Sequence, residues 1–203
     1  MDIRRRMASP APARTHPLEP SDWIRAALAR LASQGIQEVR VEVLARDLGV
    51  SKGSFYWHFR DRADLLEKML ARWEESEANW LDNKQSRANT ATRWAKLIER
   101  VTDPARIRAE VAIREWGRGD EKVAVKVAII ERKRANLIVE VLRDVGFTWS
   151  AAESWSEMVS LICLGWMERA ARDPRFQFEN RSLGEMLSDM ILAASARSAG
   201  ANQ

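Results

Sequence analysis

The sequence predicts an all-α fold. Apolar residues recur at i, i+3 and i+4 along nearly the whole chain, the spacing of one face of an α-helix. With 9 glycines and 6 prolines in 203 residues, turn-formers are too sparse for a protein of many short strands. No convincing stretch alternates apolar and polar residues as a half-buried strand would, and no internal repeat is visible.

Each element follows from its own stripe and stop signals. Ser21 is expected to cap a first helix in which Ile24, Ala27, Leu28 and Leu31 share a face, and Gly35 ends it. In residues 41–50, Leu44, Ala45 and Leu48 make one face and Gly49 breaks the helix. Ser51 is expected to cap a short helix over 52–58. Asp61 should cap a longer one carrying Leu65, Leu66, Met69, Leu70 and Trp73. The polar run 82–92 reads as a loop, helix resumes near Ala91, and Asp103-Pro104 separates it from the next, which reaches about Trp116. Residues 121–145 keep the helical period through Val127, Ile130, Leu137, Ile138, Val141 and Leu142, until Gly146. Ser150 should cap a helix striped by Trp155, Met158, Val159, Ile162 and Trp166. A last helix uses Leu183, Met186, Leu187, Met190 and Ile191, giving about nine in all.

The bulk properties narrow the setting. One cysteine, Cys163, rules out an intrachain disulfide and suits a reducing, cytoplasmic compartment. No run of about 18 apolar residues exists, so no membrane partner is expected. A net charge of +4 is too modest to identify a nucleic-acid binder by itself, so local distribution must decide. Pro10, Pro12, Pro17 and Pro20 prevent a regular helix. Residues 1–20 therefore read as a disordered arm without a secretory h-region, and the arginines at 4–6 read as part of a solvated tail, with an extra DNA-contacting arm as the alternative.

The run GVSKGSFYWHF at 49–59 carries the functional signal. Gly49 lets the chain turn sharply between two short helices, and Ala45 is small enough to let them approach, which is the layout of a helix-turn-helix. Phe55 and Phe59, one turn apart, can face inward with Val50. Lys52, Ser54, Tyr56, Trp57 and His58 are left on the outer face, beside the backbone N–H groups at the helix start. Rings that pack on sugars and thymine methyls, together with donors for phosphates and base edges, suit a DNA groove.

The stretch LGVSKGSFYWHFRDRADLLEKML resembles the DNA-binding signature of the TetR family of bacterial transcriptional regulators, over roughly residues 21–70. The Gly-Val-Ser turn, the Tyr-x-His-Phe run and the Asp-x-x-x-Leu-Leu start of the next helix carry the likeness together. It implies a helix-turn-helix DNA-binding domain over 21–66 and a C-terminal helical domain over 67–203 for effector binding and dimerisation. It implies backbone contacts from Tyr56 and His58, and base-edge positions for Lys52, Gly53, Ser54 and Trp57, with Ser51 at the turn. Arg62 stands where the family usually has a phosphate-holding lysine. One position departs: Val41 replaces the usual Ser or Thr, and Glu42 beside it would repel a phosphate, so Arg40 is expected to compensate. The resemblance implies double-stranded operator DNA, a second copy of the chain and a small hydrophobic or aromatic effector as partners, with repression as the outcome.

The remaining expectations concern the C-terminal part. The helices at 121–145 and 150–172 should form an antiparallel pair, two of which bury their stripes as a dimeric four-helix bundle. Leu142, Trp155, Val159, Ile162 and Trp166 are the expected interface residues. An effector cavity is expected among the helices from about 65 to 145, lined by Trp73, Trp94, Ile98, Ile113, Trp116 and Ile130, with Arg114 and Glu115 near a polar end. No catalytic constellation is visible. Cys163 lies on an apolar stripe and reads as buried, Asp and Glu recur with Arg or Lys at i+3 or i+4 as on solvated faces, and two histidines with one cysteine suit neither a metal nor a cofactor site. The competing class is a helical dimeric interaction protein that lacks operator binding, which Val41 and Glu42 would favour.

Overall fold

Glu19 and Asp22 start the first helix as a reciprocal cap: each side chain takes the backbone N–H at the other's position, and Pro20 fills the first helical turn. This displaces the cap expected at Ser21, because the Pro20 ring presets helical φ one residue earlier. The structure, a computed structural model, describes residues 18–83, 89–173, 175–176 and 183–200. Most of the N-terminal arm lies outside these, as do residues 84–88 of the loop expected at 82–92, whose flanks are helical instead: α4 reaches Asn83 and α5 starts at Thr90.

Among the described residues there are nine α-helices and no strand: α1 (Pro20–Gln34), α2 (Val41–Leu48), α3 (Lys52–Tyr56), α4 (Arg62–Asn83), α5 (Thr90–Thr102), α6 (Pro104–Gly117), α7 (Glu121–Asp144), α8 (Trp149–Arg172) and α9 (Leu183–Gly200). A 3-10 turn, Ile36–Glu38, joins α1 to α2. Acceptor side chains begin the helices: Asp61 accepts from the Asp64 amide at 2.8 Å, Asp103 caps α6, Asp120 caps α7 and Thr148 caps α8. Thr148 does the work expected of Ser150, whose carbonyl instead accepts from the Ser154 hydroxyl one turn on. α3 is shorter than expected, because Trp57 and His58 form the turn that follows it.

Two main apolar clusters hold the chain together. The first joins Trp23, Leu31, Leu44, Phe55, Phe59, Leu65 and Met69 to Ile113, Val123 and Ile130, with α1 resting on α6 and α4 on α7. The second joins Leu97, Ile138, Leu142, Phe147, Val159 and Cys163 to Leu183, Leu187 and Ile191, uniting α5, α7, α8 and α9. α4 runs unbroken through position 66, where the two domains were expected to divide.

The core between these clusters is not dry. Glu77 of α4 is fully buried, and its carboxylate takes Arg134 of α7 at 2.6 Å, Arg100 of α5 at 2.6 Å, and Arg106 of α6. Glu110 of α6, also buried, takes Arg134 at 2.7 Å and Arg114 at 3.0 Å, and Arg114 reaches on to Glu131. This corrects the reading of the acidic residues as a uniformly solvated face. Burial alone would raise the Glu110 carboxyl, but the charges and hydrogen bonds of Arg134 and Arg114 outweigh it and hold it at about 2.

Candidate nucleic-acid interface

The turn between α2 and α3 is built as the residue types require. Gly49 sits at φ 68°, ψ 34°, a left-handed conformation that favours glycine, and the Val50 amide returns to the Ala45 carbonyl at 2.9 Å. Ala45 is buried where α2 meets its neighbours. Phe55 and Phe59 stack at 5.1 Å, Trp23 meets Phe55 edge-on at 5.3 Å, and all three rings are buried. The short helix is thus clamped from beneath by aromatic packing rather than by its own length.

What remains outside is unusual for a surface. Trp57 is 87% exposed and Tyr56 60% exposed, the latter with its ring edge against Phe55. Ser51 and Lys52 are exposed, with Ser54 and His58 half-buried beside them. The Ser51 side chain makes no capping bond to α3, so it does not take up the helix's first N–H groups. Arg46 of α2 and Arg60 after α3, not among the expected contacts, are also exposed. Their signal was present in the sequence: both are basic residues flanking the aromatic run.

Two expected contacts are arranged differently. The Arg62 guanidinium turns inward, donating from Nε to the Val39 carbonyl at 2.6 Å and from Nη2 to the Ile36 carbonyl at 2.7 Å. It braces the 3-10 turn against α4: the planar fork takes the Val39 carbonyl past the end of the turn and adds a second donor to the Ile36 carbonyl, which the Val39 amide already reaches at 3.2 Å. Glu42 does not stand as an open repulsive charge: Lys52 Nζ lies 2.9 Å from its carboxylate, and that hydrogen bond foremost lowers the Glu42 pKa. Arg40 pairs with Glu38 at 2.9 Å. Both pairs are exposed, so each holds its cation only weakly.

The chain matches the family model described as "Bacterial regulatory proteins, tetR family" over residues 24–69. Residues 24–69 are thus similar to the helix-turn-helix domain of TetR-type regulators. Within curated proteins, the TetR-type segment is 38% identical over 53 residues to the HTH-type transcriptional regulator AcrR of Shigella flexneri, covering 26% of this chain and 23% of that one. The chain thus matches about a quarter of that relative's length. The likeness of fold extends further. A transcriptional regulator from Rhodococcus sp. Rha1 superposes with a TM-score of 0.68 at 18% identity, covering 87% of this chain and 97% of that one. A putative transcriptional regulator from Saccharomonospora viridis, solved in complex with choline, gives 0.67 at 15% identity over 86% and 93%. The whole all-α architecture, TetR-type head and helical body together, is therefore shared with transcriptional regulators of known structure.

The residues expected to line an effector cavity are dispersed. Trp73, Ile113 and Ile130 are buried in the first apolar cluster and Trp116 packs against it. Trp94 and Ile98 flank a shallow depression against α9, where Trp94 Nε1 donates to the Ser188 hydroxyl at 2.9 Å. None of the six lines the principal cleft of the body, because an inward helical stripe is equally the signature of close-packed core. Among the expected interface residues, Leu142 and Val159 are buried within the chain itself, and Trp155, Ile162 and Trp166 are half-buried against the second cluster. Among the described residues, the large apolar side chains left outside on α7, α8 and α9 are Val125 and Ile129, then Trp149, Met158 and Leu161, then Met186, Met190 and Leu192. Among the described residues, no helix is long and apolar enough to cross a membrane.

Proposed function

We propose that this protein is a DNA-binding transcriptional regulator, a repressor that holds a palindromic operator as a homodimer and leaves it when a small effector binds the helical body. The observation that carries the reading is the outward presentation of Tyr56 and Trp57, at the end of α3 and in the turn after it, with exposed Ser51 and Lys52 at the start of the same short helix and Phe55 locked in the core beneath. An indole 87% exposed gains nothing from folding. It gains on docking, where its face can cover sugars and base edges while neighbouring cations meet phosphates.

The dimer is supported by the apolar residues that intrachain packing leaves over. Met158 and Leu161 of α8 and Met186 and Met190 of α9 belong to helices that share one core cluster, so these side chains can bury against the same surface of a second copy. Two heads related by a twofold axis would then address half-sites about one DNA turn apart, ~34–36 Å.

The test is a gel shift with the DNA upstream of the protein's own gene, paired with sedimentation. The wild type should shift this DNA and sediment at twice 23.2 kDa. Trp57→Ala should abolish the shift while leaving the dimer intact, and Leu161→Glu should produce monomers that no longer shift. A Trp57→Ala protein that binds as well as wild type would defeat the reading.

A further inference from the structure

A cleft of about 690 Å³ runs between α7 and α8, with α5 and α6 contributing to its lining. Because α7 and α8 are antiparallel, Glu131 and Arg134 share one end of it with Leu164 and Met167, while Glu140 shares the other with Trp149 and Glu153. Leu97, Val101 and Ile138 supply apolar wall between α5 and α7. The size suits one small organic molecule.

The first end abuts the buried ion network, and the pairing there is unequal. Four guanidinium groups, Arg100, Arg106, Arg114 and Arg134, face three paired carboxylates, Glu77, Glu110 and Glu131, so 4 − 3 leaves one positive charge over. Asp103 acts on Arg100 through space, its carboxylate accepting from the Ala105 amide. Burial, reinforced by repulsion from Arg134, lowers the pKa of Arg100 to about 10 and that of Arg106 in the same direction. The Arg114 Nε–H is buried without an acceptor. A buried cation short of an acceptor is costly, and an anion entering the cleft relieves that cost. Glu131 is the carboxylate most easily displaced: it is the most exposed of the three at 40%, and its one ion pair is with Arg114.

We propose that this cleft binds an organic anion, an apolar chain or ring bearing one carboxylate, whose head takes Arg114 in place of Glu131 while its body lies along the α5–α7–α8 wall. The carboxylates at the far end do not decide the matter. Glu140 is already paired with Arg93, and Glu153 and Glu157 stand in water, where ionic screening acts over about 8 Å. Arg114, being largely desolvated, discriminates charge more strongly. The inference rests on the regulator reading only for its consequence at DNA, since Arg114 and Arg134 share Glu110, and Arg134 also holds Glu77 on the helix that enters the head.

Three ligands with one chain and three heads test it by calorimetry on the full-length protein: decanoate, decanol and decylamine, each below its micellar concentration. Decanoate should bind at least about tenfold more tightly than either of the others, the worth of one charge-assisted hydrogen bond. Arg114→Gln should erase that preference. Glu131→Gln, which removes the competing carboxylate from a half-exposed site, should strengthen decanoate binding and so keeps the test alive if Arg114→Gln fails to fold. Equal or tighter binding of decylamine, no binding of any of the three, or weaker decanoate binding by Glu131→Gln overturns the proposal. Decanoate that binds as described but leaves operator affinity unchanged would keep the anion site and remove its role as effector site.

Discussion

The head and the centre of the body are both buried, yet they are held by opposite means. Beneath α3 the contacts are rings and aliphatic chains, Trp23 on Phe55 on Phe59, close-packed and without direction. Between α4, α5, α6 and α7 the contacts are guanidinium forks on the Glu77 and Glu110 carboxylates, each with a defined donor and acceptor. Dry packing fixes one arrangement, which suits the DNA-reading surface proposed for Trp57 and Lys52. A set of charge pairs with one cation in excess has alternative pairings of similar energy, which suits a part that must respond to a ligand.

The comparison breaks most severely if the head's anchor is removed. Phe55→Ala should cost ~3–5 kcal/mol in chemical denaturation, enough to unfold the head, since it empties the middle of a ring stack. Glu110→Gln should cost somewhat less, about 3 kcal/mol, because it leaves Arg134 and Arg114 with a neutral acceptor in a desolvated site. Its damage should fall on α6 and α7, and hydrogen exchange can separate the two cases: Phe55→Ala opens α2 first, Glu110→Gln opens α6.

Acid sharpens the same contrast without mutation. Glu110 has a folded-state pKa depressed to about 2, below its ordinary value near ~4.3, so the stability it contributes is full above the ordinary value and is lost as pH falls from there through about 2. Exchange in α6 and α7 should therefore rise over that window before exchange in α2, whose packing carries no comparable charge. Simultaneous opening of both regions would show that the ionic centre is not the acid-labile part.

Smaller effects are expected at the head's surface. Arg62→Ala should cost about 1–3 kcal/mol by freeing the Ile36 and Val39 carbonyls. Any loss of DNA affinity should then track misplacement of α2 rather than a lowered salt slope. Trp57→Ala should change stability by less than about 0.5 kcal/mol, since the indole is outside the core, whatever it does to DNA binding.

The head was legible in the sequence because its chemistry is local. Gly49, Ala45 and the Phe55–Phe59 spacing each dictate a turn, a close approach or an inward face within the fifteen residues 45–59. The ionic centre is assembled from partners dozens of positions apart, so pairing could not be read from one helix at a time. A trace was nevertheless present. Glu77 follows Trp73 by one turn on the α4 stripe, Glu110 lies between Ile107 and Ile113, and Arg134 lies between Ile130 and Ile138. A charged residue occupying an apolar stripe position is either an exposed interruption or a buried partner, and three of them on three helices point to one another. Leu142 and Val159 illustrate the reverse limit: a wide stripe does not say which of its residues the chain buries in itself and which it leaves for a second copy.

α4 is a single rod of 22 residues, anchored at one end by Leu65 and Met69 and gripped further along at Glu77. The twelve residues from Leu65 to Glu77 span ~18 Å at 1.5 Å per residue. A tilt of about 5° about the far grip therefore carries the near end through ~1.6 Å. In a twofold dimer the two heads move in opposite senses, and their separation changes by ~3 Å, close to the 3.4 Å rise of one base step. In the proposed dimer, a pivot of a few degrees is thus sufficient to put one head about a base pair out of phase with its half-site.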